Sequence, residues 1–185
     1  MTRHLIETKR LQIDILGQSD AKQVQAYYLD NAAHLDPWEP QRSDQFHQLD
    51  TWQARIHEAE IDHEAGRSLK LILRQRGTLE LIGVCNFTNI VRGPFQACTL
   101  GYSIAASSQG QGLMFEALEA SIAFMFENRN LHRIMANYVP ENERSGRLLA
   151  RLGFEIEGRA KDYLHISGTW RDHILTAKTN PNFSF

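Results

Sequence analysis

The stretch SSQGQGLMFEAL, residues 107–118, constrains the fold more than any other part of the chain. It follows a strand-like run, LGYSI, and leads into a segment with Met114, Leu118, Ile122, Met125 and Phe126 at helical spacing, so it joins a strand to a helix. Gly110 and Gly112 sit in the joint. Backbone without a Cβ can turn its N–H groups outward there, at the positive end of a helix dipole, and such a place binds phosphate. A dinucleotide fingerprint would need glycine at 115, where Phe115 stands, and a P-loop would need Gly-Lys-Ser/Thr, which the chain lacks.

Around this joint the pattern alternates between hairpins and crossovers. Residues 6–16 predict a first strand, with Leu11, Ile13 and Ile15 on one face. A helix follows from Ser19, a good N-cap residue, to about residue 33, and a longer one runs from about 43 to 65 and ends at Gly66. LKLILRQ and ELIGVCNFTNI read as a hairpin, and QACTLGYSI, HRIMANYV, EGRAKDYLHI and TWRDHILTAK as further strands. Helices over about 111–128 and within ENERSGRLLARLGF, the latter closed by Gly153, complete a β-α-α-β-β-β-α-β-α-β-β order. The fold class is therefore α/β in the mixed α+β sense, with a largely antiparallel sheet of about seven strands and four helices. No linker or repeat divides the 185 residues, which predict one domain spanning 1–185.

A net charge of -2 leaves no basic footprint, so no direct nucleic-acid requirement is expected. Cys85 and Cys98 lie in apolar runs without metal-ligand spacing and read as buried thiols of a reducing cytosol. MTRHLIETKRL has no apolar export core and no run is long enough for a membrane span, which predicts a cytoplasmic protein that does not meet a membrane. His132, His165 and His173 show no ligand spacing, and no metal is expected.

The loop Gln109-Gly110-Gln111-Gly112-Leu113-Met114 resembles the Q/R-x-x-G-x-G/A signature of the GCN5-related N-acetyltransferase (GNAT) superfamily. LGYSIAASSQGQGLMFEAL, HRIMANYVPENERSGRLLARLGFEIEGRAKDYL and WRDHILTA further resemble its Rim branch, the ribosomal-protein N-terminal acetyltransferases. The resemblance implies a splayed sheet and acetyl-CoA as cosubstrate. Its pyrophosphate would lie on the amides of Gln109, Gly110, Gln111, Gly112, Leu113 and Met114, and its pantetheine arm along the strand ending at Ile104 and Ala105. Met114 departs from the usual Gly or Ala, and a side chain on the first helical turn can point back into the core.

Asn142 is a natural N-cap and Ser145 its N3 residue; by resemblance Asn142 also contacts the pantetheine arm and Ser145 protonates the leaving thiolate. Asp162, in Asp-Tyr-Leu, corresponds to the carboxylate taken as general base, while its residue type alone is equally that of a surface Asp paired with Lys161 or Arg159. Glu116 is a first-turn carboxylate favoured by the helix dipole, and Trp38, between Pro37 and Pro40, is a candidate for a peptide entrance. The implied activity is acetylation of the N-terminal alanine of a small-subunit ribosomal protein, with that N-terminus as partner and ribosome association as a corollary. Two alternatives stay open at this point: acetylation of a small amine such as an antibiotic or polyamine, and a non-catalytic acyl-CoA-binding, ribosome-associated factor.

Overall fold

Residues 4–185 are described by a computed structural model. The strands are β1 (His4–Glu7), β2 (Leu11–Ile15), β3 (Leu69–Gln75), β4 (Leu81–Val91), β5 (Ala97–Ile104), β6 (Arg133–Met135), β7 (Glu155–Ile166) and β8 (Thr169–Thr179). The helices are α1 (Ala21–Asp30), α2 (Ala32–Leu35), α3 (Leu49–Glu64), α4 (Leu113–Glu127) and α5 (Glu143–Arg151), with short 3-10 turns between some of them. One sheet takes all eight strands in the order β1-β2-β3-β4-β5-β6-β8-β7. Every pairing is antiparallel except that of β5 with β6.

The mixed, largely antiparallel sheet is as expected, with one strand and one helix more than the sequence suggested. The run over 6–16 folds back on itself because Thr8 and Leu11 close a tight turn: each backbone N–H finds the other residue, Thr8 N–H on Leu11 O at 2.9 Å and Leu11 N–H on Thr8 Oγ1 at 3.0 Å. The first helix is interrupted at Asn31, whose Nδ2 donates to Tyr27 O at 2.9 Å and separates α1 from α2. Ser19 is not the cap of α1; it lies inside the turn Gln18–Asp20, and Asp20 precedes the helix while accepting the Gly17 N–H at 2.9 Å. Similarly, Ser43 caps the turn Asp44–His47, and α3 begins only at Leu49.

Helices cover both faces of the sheet, which is why β3 and β4 read as nearly continuous apolar runs. Leu71, Leu73, Cys85 and Phe87 pack with Leu118 and Met125 of α4 and Leu149 of α5, whereas Ile72 and Val84 pack with Val24 and Trp52 of α1 and α3. Both cysteines are free and wholly buried, and burial pushes the Cys98 thiol up to about 12. Arg74 crosses to Asp14 at 3.2 Å and Asp20 at 2.8 Å, fixing β3 to β2 and to the start of α1.

The feature that positions the site is a gap. β5 pairs with β6 only over Ala97, Cys98 and Thr99 against Arg133, Ile134 and Met135. Beyond that point the chain after β6 follows β8 instead: Ala136 N–H donates to Thr176 O at 3.0 Å, and Tyr138 bridges to Ile174. Residues 100–104 of β5 are thus left without a partner on that side, and the sheet opens into a V.

Candidate active site

A cavity of about 1320 Å³ occupies the V and opens towards both faces of the sheet. Ala105 N–H donates to Ile82 O at 2.7 Å, towards β4. Successive amides of a strand point to opposite edges, so those of Ile104 and Tyr102 point into the V. Ile104 therefore presents a free donor where the resemblance put the pantetheine arm, while the Ala105 amide is spent within the sheet.

On the α4 side the cavity is bounded by the glycine joint. Gly110 and Gly112 adopt φ of +72° and +73°, the left-handed region, and Gly112 is the N-cap of α4. Space is not what demands glycine: a Cβ on Gly112 would meet nothing closer than Arg10 Nη2 at 3.6 Å, and one on Gly110 would meet nothing within 4 Å. The requirement is conformational. Among the described residues, no backbone N–H over 110–115 has an acceptor within the protein, so the loop presents a set of unspent donors at a helix N-terminus. Met114 is buried and points into the core, which leaves the loop face open.

Side chains hold this loop from two directions. Glu116 accepts from Thr8 Oγ1 at 2.7 Å, Arg10 N–H at 2.8 Å and Arg10 Nε at 2.7 Å, and Arg10 Nη1 donates to Gln111 O at 2.8 Å. Burial alone would raise the Glu116 carboxyl, but these donors outweigh it and hold the group below the usual carboxylate range. Gln109 bridges the mouth: its Oε1 accepts from Arg144 Nη1 at 2.7 Å and its Nε2 lies 2.9 Å from His34 Nε2.

Asn142 caps α5, its Oδ1 accepting the Ser145 N–H at 3.2 Å. Ser145 Oγ is 2.7 Å from the Tyr102 hydroxyl on β5, so the first turn of α5 reaches across the V. Burial pushes the Tyr102 phenol up to about 12 against the opposing effect of the Ser145 hydrogen bond, which keeps it a protonated donor at neutral pH. The close seat of α5 depends on Gly146, where a Cβ would stand 2.9 Å from the Tyr138 ring.

Across the V, a bulge in β7 sets Asp162, the expected base, apart from His173 on β8. Ala160 pairs with His173 and Leu164 with Arg171, so residues 161–163 stand opposite Asp172 alone. Asp162, at φ +47°, is held by its N–H on Asp172 Oδ1 at 3.0 Å and does not line the cavity. His173 does line it. Its Nδ1 lies 3.1 Å from Arg171 O, a hydrogen bond in which Nδ1–H donates to the carbonyl. Ile174 bridges to Tyr138 on the α5 face, so alternation puts His173 on the opposite face, with α1 and α3. Glu141, also at the cavity, is tied to Arg171 at 3.0 Å.

Comparison with known proteins fits this geometry. Residues 10–155 match the acetyltransferase (GNAT) domain family. The chain belongs to the GNAT family. A ribosomal protein uS5-alanine N-acetyltransferase of Escherichia coli (strain K12) is 50% identical over 179 residues, covering 97% of this chain and 92% of that protein. The structure of a ribosomal-protein-S5-alanine acetyltransferase from Vibrio fischeri superposes with a TM-score of 0.94 at 39% identity, covering 97% of this chain and 98% of that one. Mycobacterium smegmatis RimJ in complex with CoA-disulfide follows with a TM-score of 0.86 at 31% identity, covering 91% and 81%.

Within this GNAT enzyme, the motif residues Gln109, Gly110, Gly112, Leu113, Met114, Asn142 and Ser145 converge on the cavity with Ile104, and Trp38 joins its rim. Tyr102 and His173 were not singled out by the sequence as chemical groups. Each lies on a strand without a motif, and only the Ser145 contact or the cavity wall distinguishes it from a core residue. Among the described residues no group of three or more potential metal ligands is assembled, and no helix is long and apolar enough to cross a membrane.

Proposed function

We propose that this protein is a one-domain, acetyl-CoA-dependent N-terminal acetyltransferase whose acceptor is the N-terminal alanine of a small-subunit ribosomal protein. The observation that carries the reading is the 50% identity to the E. coli uS5-alanine N-acetyltransferase across 97% of this chain. A V-shaped cavity with a donor-rich loop on one face and an open groove on the other supports it. The cosubstrate supplies an activated thioester. Unspent amides over 110–114 suit its pyrophosphate, whereas the Gln109 N–H of the Gln109–Met114 assignment is spent on Ala106 O at 3.3 Å, and Asn142 and Ile104 are the residues assigned to its arm.

An α-amine has an unperturbed pKa of about 7.7–8.0, so part of it is already neutral near pH 7 and attack needs only modest assistance. Two groups are candidates to receive its proton: Asp162 through water, as the resemblance implies, and His173, which lines the cavity. Ile104 N–H is aimed to meet negative charge developing on the carbonyl oxygen. Ser145 gives its proton to the leaving sulfur and regains one from solvent, the proton shed by the amine being returned there by the base, while the Tyr102 hydroxyl holds Ser145 Oγ in place at 2.7 Å. Neither cysteine has a part, since both are buried and held as neutral thiols. A ribosomal acceptor implies action in the cytoplasm, on the ribosome or on its free subunit protein.

Thiol release with acetyl-CoA and peptides beginning with free alanine, set against the same peptides blocked at the N-terminus, tests the reading. Turnover confined to the free-amine peptides is expected. Turnover only on small amines such as polyamines would replace it.

A further inference from the structure

On the face of the sheet carrying α1 and α3, a row of residues runs away from the V across three strands. Gly101 of β5 pairs with Asn86 of β4, and Asn86 pairs with Lys70 of β3; all three line the cavity. Their face is fixed by neighbours of the same parity: Ile72 and Val84 pack with α1 and α3, and Ser103 Oγ is 2.9 Å from the Tyr27 hydroxyl. Gly101 adds no bulk at the V, and a Cβ there would meet nothing within 4 Å. The row is thus an open floor at the V that ends in an amide and an ammonium group.

Arg55 of α3 lines the same space. Its guanidinium lies over the Phe46 and Trp52 rings, 4.9 Å and 5.4 Å from their centroids. Among the described residues, neither the Arg55 nor the Lys70 side chain has an ion pair or hydrogen bond; Glu58 acts on both, and Asp62 on Lys70, only from beyond ion-pair distance. The neighbouring Arg42 differs, because Glu39 pairs with it. Burial lowers the proton affinity of both Lys70 and Arg55, and each is pushed further by a like charge: Lys70 by Arg55, Arg55 by Arg42. Two cations that share one field, with carboxylates acting on them only from beyond ion-pair distance, are an arrangement that an incoming anion relieves.

We infer that Arg55 and Lys70 form a subsite for an acidic side chain of the acceptor peptide, a few residues beyond the amine that is acetylated. This rests on the proposed transfer to a peptide amine. Strands lie about 4.8 Å apart, so Lys70 stands about 10 Å across the sheet from β5. An extended peptide advances about 3.3–3.6 Å per residue, which puts the acidic residue third or fourth in the acceptor. Asn86 lies between, where it can bond the acceptor backbone on the way. Arg55 and Lys70 are specificity residues here and take no part in the chemistry.

The test uses the full-length protein and alanine-initiated peptides, otherwise neutral, in which a single Glu is moved through successive positions and compared with Gln at the same place. A Glu at the third or fourth position is expected to lower the peptide KM about tenfold with kcat unchanged, an advantage that shrinks in high salt. Lys70→Glu and Arg55→Glu are expected to reverse the preference towards a Lys at that position. Equal KM for Glu and Gln everywhere, with turnover intact, overturns the subsite and leaves the acetyltransferase reading standing. Absence of turnover on every alanine peptide overturns that reading instead. Equilibrium binding of the same Glu and Gln peptides then decides the subsite by itself, tighter binding of the Glu peptide upholding it and equal binding overturning it.

Discussion

Ser145 and Tyr102 share one hydrogen bond of 2.7 Å, and each needs the other for its role: the serine reaches the V from α5, while the phenol on β5 holds a proton that burial makes hard to lose. Ser145→Ala is expected to lower kcat by about 100-fold, in the range of a positioned proton donor, while the KM for acetyl-CoA stays within about twofold. Tyr102→Phe should cost less, and the double variant no more than Ser145→Ala, because groups acting as a unit are not additive. Losses that multiply in the double variant would show two separate contributions. The proton acceptor is open to the same kind of comparison. We expect His173→Gln to lower kcat by about 100-fold, in the range of a lost general base, whereas Asp162→Asn, outside the cavity lining, should leave kcat within about twofold; the opposite pattern would assign the base to Asp162. Sequence marked Asp162 through a motif and passed over His173 because a strand histidine without ligand spacing resembles any core histidine. Only the pairing of Ala160 with His173, and the bulge that follows it, brings one to the cavity and lifts the other away.

At the scale of elements, the strand-to-helix joint was the most legible part of the chain, since two glycines in that position leave few options. Its requirement is backbone conformation, so Gly112→Val, at φ +73°, should weaken acetyl-CoA binding about tenfold or more, as measured by titration, and Gly112→Asn much less. Comparable losses from both would point to side-chain bulk instead. Other elements were misjudged for identifiable reasons. HRIMANYV has strand composition throughout, yet only Arg133–Met135 pairs with β5, because the next residues take hydrogen bonds from β8. Local pattern cannot reveal which of two strands a third will follow. The Thr8–Leu11 turn was hidden in the same way: no glycine or proline marks it, and a threonine side chain does the work of closing it. The row from Gly101 to Lys70 is likewise cross-strand, and becomes visible only when register is known.

For the molecule as a whole, Glu116 joins the far edge of the sheet to the cofactor side. Its carboxyl is held low in the folded state, whereas an unfolded glutamate titrates near 4.3. The stabilisation is therefore fully present above that value and is lost as pH falls through the lower, folded pKa. Glu116→Gln should reduce unfolding free energy in urea at pH 7 by about 1–3 kcal/mol, the cost of breaking hydrogen bonds to a charged group. The gap between the two proteins should narrow as pH falls below the unfolded value and close once the folded-state carboxyl is protonated. A gap that stays constant with pH would mean that packing, and not charge, is what the residue supplies.

The Glu116 link also bears on how the chain is made. Arg10 and Glu116 are separated by 106 positions. During synthesis the first strands leave the ribosome long before their partner exists, and contacts of such high sequence separation form late because the intervening chain must first be ordered. The glycine joint is braced by Arg10 from behind, so it reaches its donor-presenting shape only after residues from both ends of that span have met. An acetyltransferase assembled this way is expected not to engage its cosubstrate as a nascent fragment; binding competence arrives with the closing of that 106-residue span.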